Sequence, residues 1–91
     1  MFFDLSYGVD IILMIRIMEY LRRRRTSTVS GLARALGISK RTASKYVRMM
    51  NMLGLLEVNV VGKAWYVRPG PKADAFTHLF SGLRPVEVIA R

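Results

Sequence analysis

The amino-acid sequence predicts a mainly α-helical domain with a small antiparallel β-hairpin, an α+β fold. Two patterns support this prediction. Through the first half of the chain, apolar residues recur at spacings of three and four, as on one face of an amphipathic helix. After Gly54, apolar and polar residues alternate, which is typical of half-buried strands. We therefore expect a core of three helices, a two-stranded hairpin and a C-terminal extension.

Length and composition indicate one intracellular domain. The chain has 91 residues, with an expected core over about 9–68 and an extension over 69–91. A chain this short buries only about 60% of its unfolded surface, so contact with a second copy would add stability. The hydrophobic fraction of 52% argues against disorder. The chain has no cysteine, which excludes disulfides and thiolate metal sites and fits a cytoplasmic location.

The net charge of +9 is concentrated in one segment. Between Tyr20 and Leu56 the chain carries nine Lys or Arg residues and no Asp or Glu. The remaining six cations are matched by six acids, so the whole excess lies in that segment. This localisation is the electrostatic footprint expected of a nucleic-acid binder.

A first helix is predicted from Val9 to about Arg23, with Ser6 or Asp10 near its start. Its surface is apolar nearly all round, which indicates burial on more than one side. One side of the helix is expected to face the domain core. The other side faces a second copy or the C-terminal segment, or else Met1–Tyr7 and the tail cover it within one chain. Met1–Tyr7 reads as a short strand or a packed arm and lacks the features of a secretory signal.

That helix is not a membrane span. A span needs about 20 apolar residues. This run is shorter and is interrupted by Asp10, Arg16 and Glu19. Its C-terminal run Arg22–Arg25 suits the helix macrodipole, and four cations in a row exceed that need. Some of them are therefore expected to reach phosphates.

A short second helix is predicted after Thr28, a suitable N-cap. Leu32, Ala33 and Leu36 form its inner face, and Gly37 ends it. The link to the next helix is only Gly37-Ile38-Ser39. Two short helices joined by a tight turn that contains Gly form a helix-turn-helix, whose second helix enters the major groove of DNA.

The third helix extends over about 39–53, with Ser39 as its cap and Gly54 as its stop. One face is apolar and is formed by Ala43, Tyr46, Val47, Met50 and Leu53. The opposite side, here called the basic face, carries Lys40, Arg41, Ser44, Lys45 and Arg48. A merely solvated helix tends to mix charge signs along its exposed side. A face of one sign suits contact with phosphates.

Residues 55–68 are expected to form the hairpin. Leu56, Val58 and Val60 alternate with polar residues in the first strand, and the second strand is Ala64–Arg68. Lys63 is the one cation at its tip, which predicts a modest contact with DNA. Trp65 or Tyr66 either packs on the core or stacks on a base.

The stretch Thr28–Arg48, together with Leu53-Gly54-Leu55-Leu56-Glu57, resembles the winged helix-turn-helix regulators of archaea and bacteria. The resemblance covers about Thr28–Arg68. It implies that the third helix is the recognition helix and that the hairpin is the wing. Gly31 departs from the pattern, because members often carry an acidic residue there that completes a capping box.

After Pro69-Gly70-Pro71, a further helix is predicted over Ala73–Leu83, followed by a short strand over Val86–Arg91. By resemblance, such an extension is a common dimerisation element. His78 is the sole histidine and has no partner motif, so it is interpreted as a surface or packing residue. The six acids show no spacing typical of a catalytic or metal site, and the sequence predicts no enzyme, metal or cofactor.

The resulting prediction is a transcription regulator that binds double-stranded DNA, located at the nucleoid and most simply a homodimer through the first helix or the extension. No small-molecule effector is predicted. Arg41 and Lys45 are the candidates for base edges. Two alternatives stay open at this stage: an architectural DNA binder without sequence preference, and a protein-interaction module of a larger assembly. The predicted DNA-binding residues are Ser39, Lys40, Arg41, Thr42, Ser44, Lys45, Arg48, Lys63, Arg34, Arg24 and Arg25.

Overall fold

A computed structural model describes residues 9–81 of the protein. In that part of the chain, four helices and three strands alternate in the order α1, β1, α2, α3, β2, β3, α4. Their bounds are α1 Ile11–Arg24, β1 Ser27–Thr28, α2 Val29–Leu36, α3 Lys40–Met52, β2 Leu56–Val61, β3 Ala64–Pro69 and α4 Ala73–Ser81. The predicted α+β class, a three-helix core with a hairpin and an appended helix, is confirmed.

Helix α1 is capped at its N-terminus by Asp10. The Asp10 carboxylate accepts hydrogen bonds from the backbone N–H groups of Ile12 and Leu13 at 3.0 and 3.4 Å. At the other end, Arg25 adopts a φ of 75°, and its N–H donates to the Leu21 carbonyl oxygen at 2.7 Å. The four-arginine run therefore includes the turn that ends the helix.

Helices α2 and α3 form the predicted helix-turn-helix. Thr28 Oγ1 accepts from the Gly31 N–H at 3.0 Å, so α2 is capped although Gly31 provides no reciprocal acidic partner. Gly37 ends α2 with a φ of 69°, a left-handed conformation that favours glycine. The Ile38 N–H then donates to the Ala33 carbonyl at 3.0 Å, which fixes the direction in which α3 leaves the turn.

The sheet has one strand more than predicted. Strand β3 lies in the middle, antiparallel to β2 on one side and to β1 on the other. Strand β1 consists of only two residues, Ser27 and Thr28, paired with Val67 and Tyr66. Two residues are too few to show an alternating pattern, so the sequence alone predicts no strand between α1 and α2. This pairing ties the start of α2 to the hairpin.

The core lies between the helices and the inner face of the sheet. Its fully buried large side chains come from α1, α2, α3, β2 and β3: Ile17, Met18, Leu21, Leu32, Val47, Met50, Leu56 and Val67. Two residues predicted to be buried are not. Leu53 is 51% exposed because the helix ends there and its side chain passes the edge of the core. Val60 is 57% exposed because β2 extends beyond the core towards the tip of the hairpin.

Helix α4 follows the hairpin and lies against α1. Ala73 is buried and Phe76 packs on the core, whereas Leu79 is largely exposed. Residues 82–83 of the predicted helix, the predicted strand over 86–91 and the predicted N-terminal arm over 1–7 lie outside the described residues.

Candidate nucleic-acid interface

Helix α3 is anchored along its whole inner face. Ala43, Tyr46, Val47 and Met50 are all buried. The Tyr46 hydroxyl oxygen accepts a hydrogen bond from the backbone N–H of Asp10, at 2.6 Å, which joins α3 to the start of α1. A helix fixed in this way presents its outer side in a single orientation.

The C-terminal end of α3 is joined to the hairpin. The Asn51 side-chain amide donates to the Leu56 carbonyl oxygen at 2.9 Å. Leu56 is the first residue of β2 and is itself buried. The hydrogen bond therefore couples the position of the first wing strand to that of the helix.

The outer side of α3 carries the predicted basic face. Lys40, Arg41, Lys45 and Arg48 are exposed, and Ser44 is half-buried between them. These residues line a shallow hollow along the helix, here called the helix groove. Its lining consists of Lys40, Arg41, Thr42, Ser44, Lys45, Arg48, Met49 and Met52. The two methionines were not predicted as site residues, and they add apolar surface beside Arg48 in the C-terminal half of this groove.

The hydroxyl groups of Ser39 and Thr42, at the start of α3, make different hydrogen bonds. Ser39 Oγ accepts from the Thr42 N–H and donates to Thr42 Oγ1, both at 3.0 Å, so the Ser39 hydroxyl is used by the cap. The Thr42 hydroxyl keeps its own proton for an outside acceptor. The backbone N–H groups of Lys40 and Arg41 belong to the first turn and lack intrahelical acceptors. Ser39 and Thr42 are two of the three hydroxyl residues of α3 predicted to contact DNA, beside Ser44, and of these two Thr42 is thus the better donor.

A second hollow, here called the wing groove, lies between α2, α3 and the hairpin and has a volume of about 560 Å³. It brings the predicted wing residue Lys63 together with Lys40 and Arg48 of α3. Its full lining is Thr28, Val29, Ser30, Lys40, Ser44, Arg48, Val61, Lys63, Ala64 and Trp65. Ser30 was missed by sequence reasoning, although it lies one helical turn before Arg34 and shares its face.

Trp65 occupies the wall between the wing groove and the core. The side chain is half-buried and packs against the core, as one of the two sequence readings predicted. The guanidinium carbon of Arg48 lies 5.8 Å from the centroid of the indole ring. This distance is within the range of a cation–π contact.

Three predicted cations line neither groove. Arg34 is exposed on α2 and lines neither of them. Arg24 lies with its guanidinium 5.7 Å from the Tyr20 ring centroid, on α1. Arg25 is exposed at the end of α1 and also lines neither groove. The structure therefore assembles eight of the predicted residues around α3 and the wing, and leaves these three at its periphery.

The two grooves are lined by cations. Among residues 9–81, no Asp or Glu lines either of them. Glu57, the acid nearest along the chain, instead makes an ion pair with Arg68 at 2.9 Å across the two wing strands. Within residues 9–81, no three His, Asp or Glu side chains cluster in a way that would hold a metal ion. No helix in the same range is long and apolar enough to cross a membrane.

A helix-turn-helix whose second helix is exposed and basic on its outer side, followed by a hairpin, defines a winged helix-turn-helix domain of the type found in DNA-binding transcription regulators. The chain belongs to the arsR family of bacterial regulatory proteins, whose model matches residues 13–58. The match includes most of α1, the helix-turn-helix and the start of the wing. No curated protein matches the chain.

Several solved structures have a similar fold. A MarR family transcriptional regulator from Silicibacter pomeroyi DSS is 22% identical, with a TM-score of 0.67 over 76% of this chain and 47% of that one. The antimony-specific transcriptional repressor AntR is 21% identical, with a TM-score of 0.70 over 82% of this chain and 67% of that one. This chain thus spans about half the length of the first of these regulators.

A third similar structure is BpsR of Bordetella bronchiseptica, whose DNA binding is regulated by 6-hydroxynicotinic acid. It is 20% identical, with a TM-score of 0.63 over 81% of this chain and 63% of that one. At these identities the three structures establish the winged-helix fold alone. The resemblance seen in the sequence is confirmed, and the family is now specified.

Proposed function

We propose that this protein regulates transcription by placing α3 in the major groove of double-stranded DNA, with the wing against the neighbouring backbone. The observation that supports this most strongly is the contrast between the two sides of α3. Its inner side is buried along the whole helix, and its outer side carries four exposed cations in grooves that no carboxylate of residues 9–81 lines. A B-DNA major groove is wide enough to admit such a helix.

Within this arrangement the residues have different roles. Arg41 and Lys45 lie one helical turn apart on the outer side of α3 and read base edges, since both residue types pair with the guanine acceptors. Lys40, Arg48 and Lys63 meet in the wing groove and neutralise backbone phosphates. Thr42 donates to a phosphate near the helix N-terminus, where unpaired N–H groups favour an anion.

The peripheral cations contribute sequence-independent contacts. Arg34 shares a face of α2 with Ser30, which lines the wing groove, so it is the nearest of them to the proposed backbone path. Arg24 and Arg25 are further along the chain from α3, and Arg24 is already in contact with Tyr20. We expect their effect on affinity to be smaller than that of any cation in the two grooves.

A homodimer fits the apolar surface that α1 leaves uncovered in residues 9–81. Ile12 is 61% exposed, and Val9 and Ile11 are also exposed. Pairing through α1 or through the extension over 69–91 would bury this surface. It would also present two copies of α3 to two half-sites, as other dimeric helix-turn-helix proteins do.

The proposal is tested by titrating salt in a binding assay on a short random duplex, beside a sizing measurement of the free protein. Neutralising about six phosphates predicts that log affinity falls with log salt at a slope of about −5. Binding that is insensitive to salt, or no binding at low salt, would contradict the proposal. It would favour the alternative of a protein-interaction module.

Sequence preference separates a regulator from an architectural binder, because the excess charge fits both. A duplex selected from a random pool should compete at least about 10³-fold better than unselected DNA if the protein is a specific regulator. Equal competition by both duplexes would assign the protein to the architectural class.

The absence of an effector stays a prediction, as does the cytoplasmic, nucleoid-associated location. Among the similar regulators, BpsR has its DNA binding regulated by 6-hydroxynicotinic acid, and AntR is an antimony-specific repressor. Adding either compound to the titration is expected to leave the binding of this chain unchanged. A loss of DNA binding would show that this chain responds to such a compound.

A further inference from the structure

Trp65 is the one tryptophan of the chain, and it lies at the junction of the wing, the core and the recognition helix. On β3 it shares a side with the buried Val67, because alternate residues of a strand point to the same face. Its cross-strand partner on β2 is Val60. The backbone of Trp65 thus belongs to the wing, while its ring packs on the core and borders the wing groove.

Arg48 extends from α3 over this ring, with its guanidinium carbon 5.8 Å from the ring centroid. The arginine side chain is otherwise exposed, and no carboxylate from the described part of the chain lines the groove around it. Its charged neighbours in the wing groove are Lys40 and Lys63. Two cations would repel Arg48, so the negative face of the indole is the attractive surface that the groove offers to it.

We infer that Trp65 is a positioning residue, which holds the Arg48 guanidinium in the wing groove at the place where a DNA phosphate is to be met. The inference rests on the proposed function. An arginine side chain loses rotamer freedom when it binds, and one that is already held loses less. The indole therefore raises affinity without itself contacting DNA.

The same contact links the wing to the recognition helix. Trp65 is carried by β3 and Arg48 by α3, so a displacement of the hairpin moves the surface on which Arg48 rests. The sequence also allowed Trp65 to stack on a DNA base. Such stacking would require Arg48 to leave the face of the ring. The geometry points to Arg48 as the group that meets DNA and to Trp65 as its support.

A double-mutant cycle tests the inference. Binding to one duplex is measured for the native protein, Trp65→Leu, Arg48→Ala and the double variant. Trp65→Leu is expected to weaken binding about two- to five-fold in the native background, as for an exposed cation–π contact, and by less than about 1.5-fold when Arg48 is already Ala. Equal losses in both backgrounds would overturn the inference, because Trp65 would then act on DNA or on the fold independently of Arg48.

Two further variants exclude a purely structural explanation. Trp65→Phe keeps an aromatic face and should restore most of the affinity lost in Trp65→Leu. A Trp65→Phe protein that folds like the native protein but binds DNA as weakly as Trp65→Leu would contradict the inference. Tyr66→Leu changes the exposed ring on the opposite side of the same strand and should leave affinity unchanged. A loss of affinity as large as that of Trp65→Leu would mean that any change in the wing weakens binding, which would contradict a specific role for Trp65.

Fluorescence gives a measurement that needs neither DNA nor a Trp65 variant. Since Trp65 is the sole tryptophan, its quenching by acrylamide reports how well Arg48 covers the ring. Quenching should increase in Arg48→Ala and stay unchanged in Arg41→Ala. Unchanged quenching in Arg48→Ala would overturn the inference while leaving the proposed function intact. A native protein that binds no duplex would instead mark the failure of the proposed function itself.

Discussion

The recognition helix and the wing are held to the same core in different ways. Helix α3 is buried on one side from Ala43 to Met50, so its outer side is fixed over its length. The wing is buried at its base, by Leu56 and Val67, and Trp65 packs against the core further along the hairpin. Val60 and Val61 near the tip are each 57% exposed.

This difference separates what each element can recognise. Reading a base edge requires a side chain held to within a fraction of an ångström, which a helix anchored along its length provides. A hairpin tip fixed at one end can still neutralise a phosphate, because that interaction depends less on direction. The charges follow the same division, with four cations on the outer side of α3 and Lys63 alone at the wing tip.

The largest expected effect concerns the anchoring of α3. Met50→Ala removes a side chain that is 0% exposed and leaves a cavity in the core, which should lower the free energy of unfolding by about 2–5 kcal/mol. Chemical or thermal unfolding measures this change. The DNA affinity of the fraction that remains folded should be unchanged, since Met50 lies on the side away from both grooves.

Met52 provides a matched control on the same helix. It is the same residue type two positions later and is 85% exposed. Met52→Ala should change the free energy of unfolding by less than about 0.5 kcal/mol. Similar losses for the two methionines would mean that α3 is not anchored as the structure indicates.

A smaller effect is expected at the proposed base-reading residue. Arg41→Ala should cost about 1–3 kcal/mol of binding to a selected site and relax the preference at one base-pair position. Affinity measured on the selected duplex and on single-position variants of it gives both quantities. An equal loss on every sequence would make Arg41 a phosphate contact instead.

Arg68→Ala is the control for charge alone. Arg68 is exposed on the outer side of the wing, paired with Glu57, and it lines neither groove. Its replacement removes the same charge from the protein as Arg41→Ala and should leave the base preference unchanged. A change in preference would place the outer side of the wing against the bases.

Much of this organisation follows from residue patterns. Thr28, Gly37, Ser39 and Gly54 set the helix ends, and caps of this kind act within one turn of the chain. Local signals of this kind can be identified in the sequence. The basic face was predictable for the same reason, since a spacing of three and four residues fixes which side chains share a side.

Features made by distant segments were not predictable. Strand β1 exists because Ser27 and Thr28 meet β3, about 40 residues further along the chain, and a two-residue strand has no pattern of its own. Ser30 and Trp65 join the site only because the sheet brings the wing against α2 and α3. Conversely, Leu53 has the correct helical spacing for burial, yet the core does not extend to it.

The smallest effect concerns the wing tip and sharpens the comparison with α3. Lys63→Gln should reduce the salt dependence of binding by about one unit of slope, the value for one phosphate contact, and weaken binding uniformly across sequences. A salt titration on a selected and a random duplex measures both effects. Lys72→Gln makes the same substitution at an exposed lysine near Gly54, beyond the base of the sheet, and should leave the slope unchanged. If Lys63→Gln altered the preference for one base pair, the wing would read sequence as the helix does, and the division between a fixed helix and a tip that only neutralises charge would be wrong.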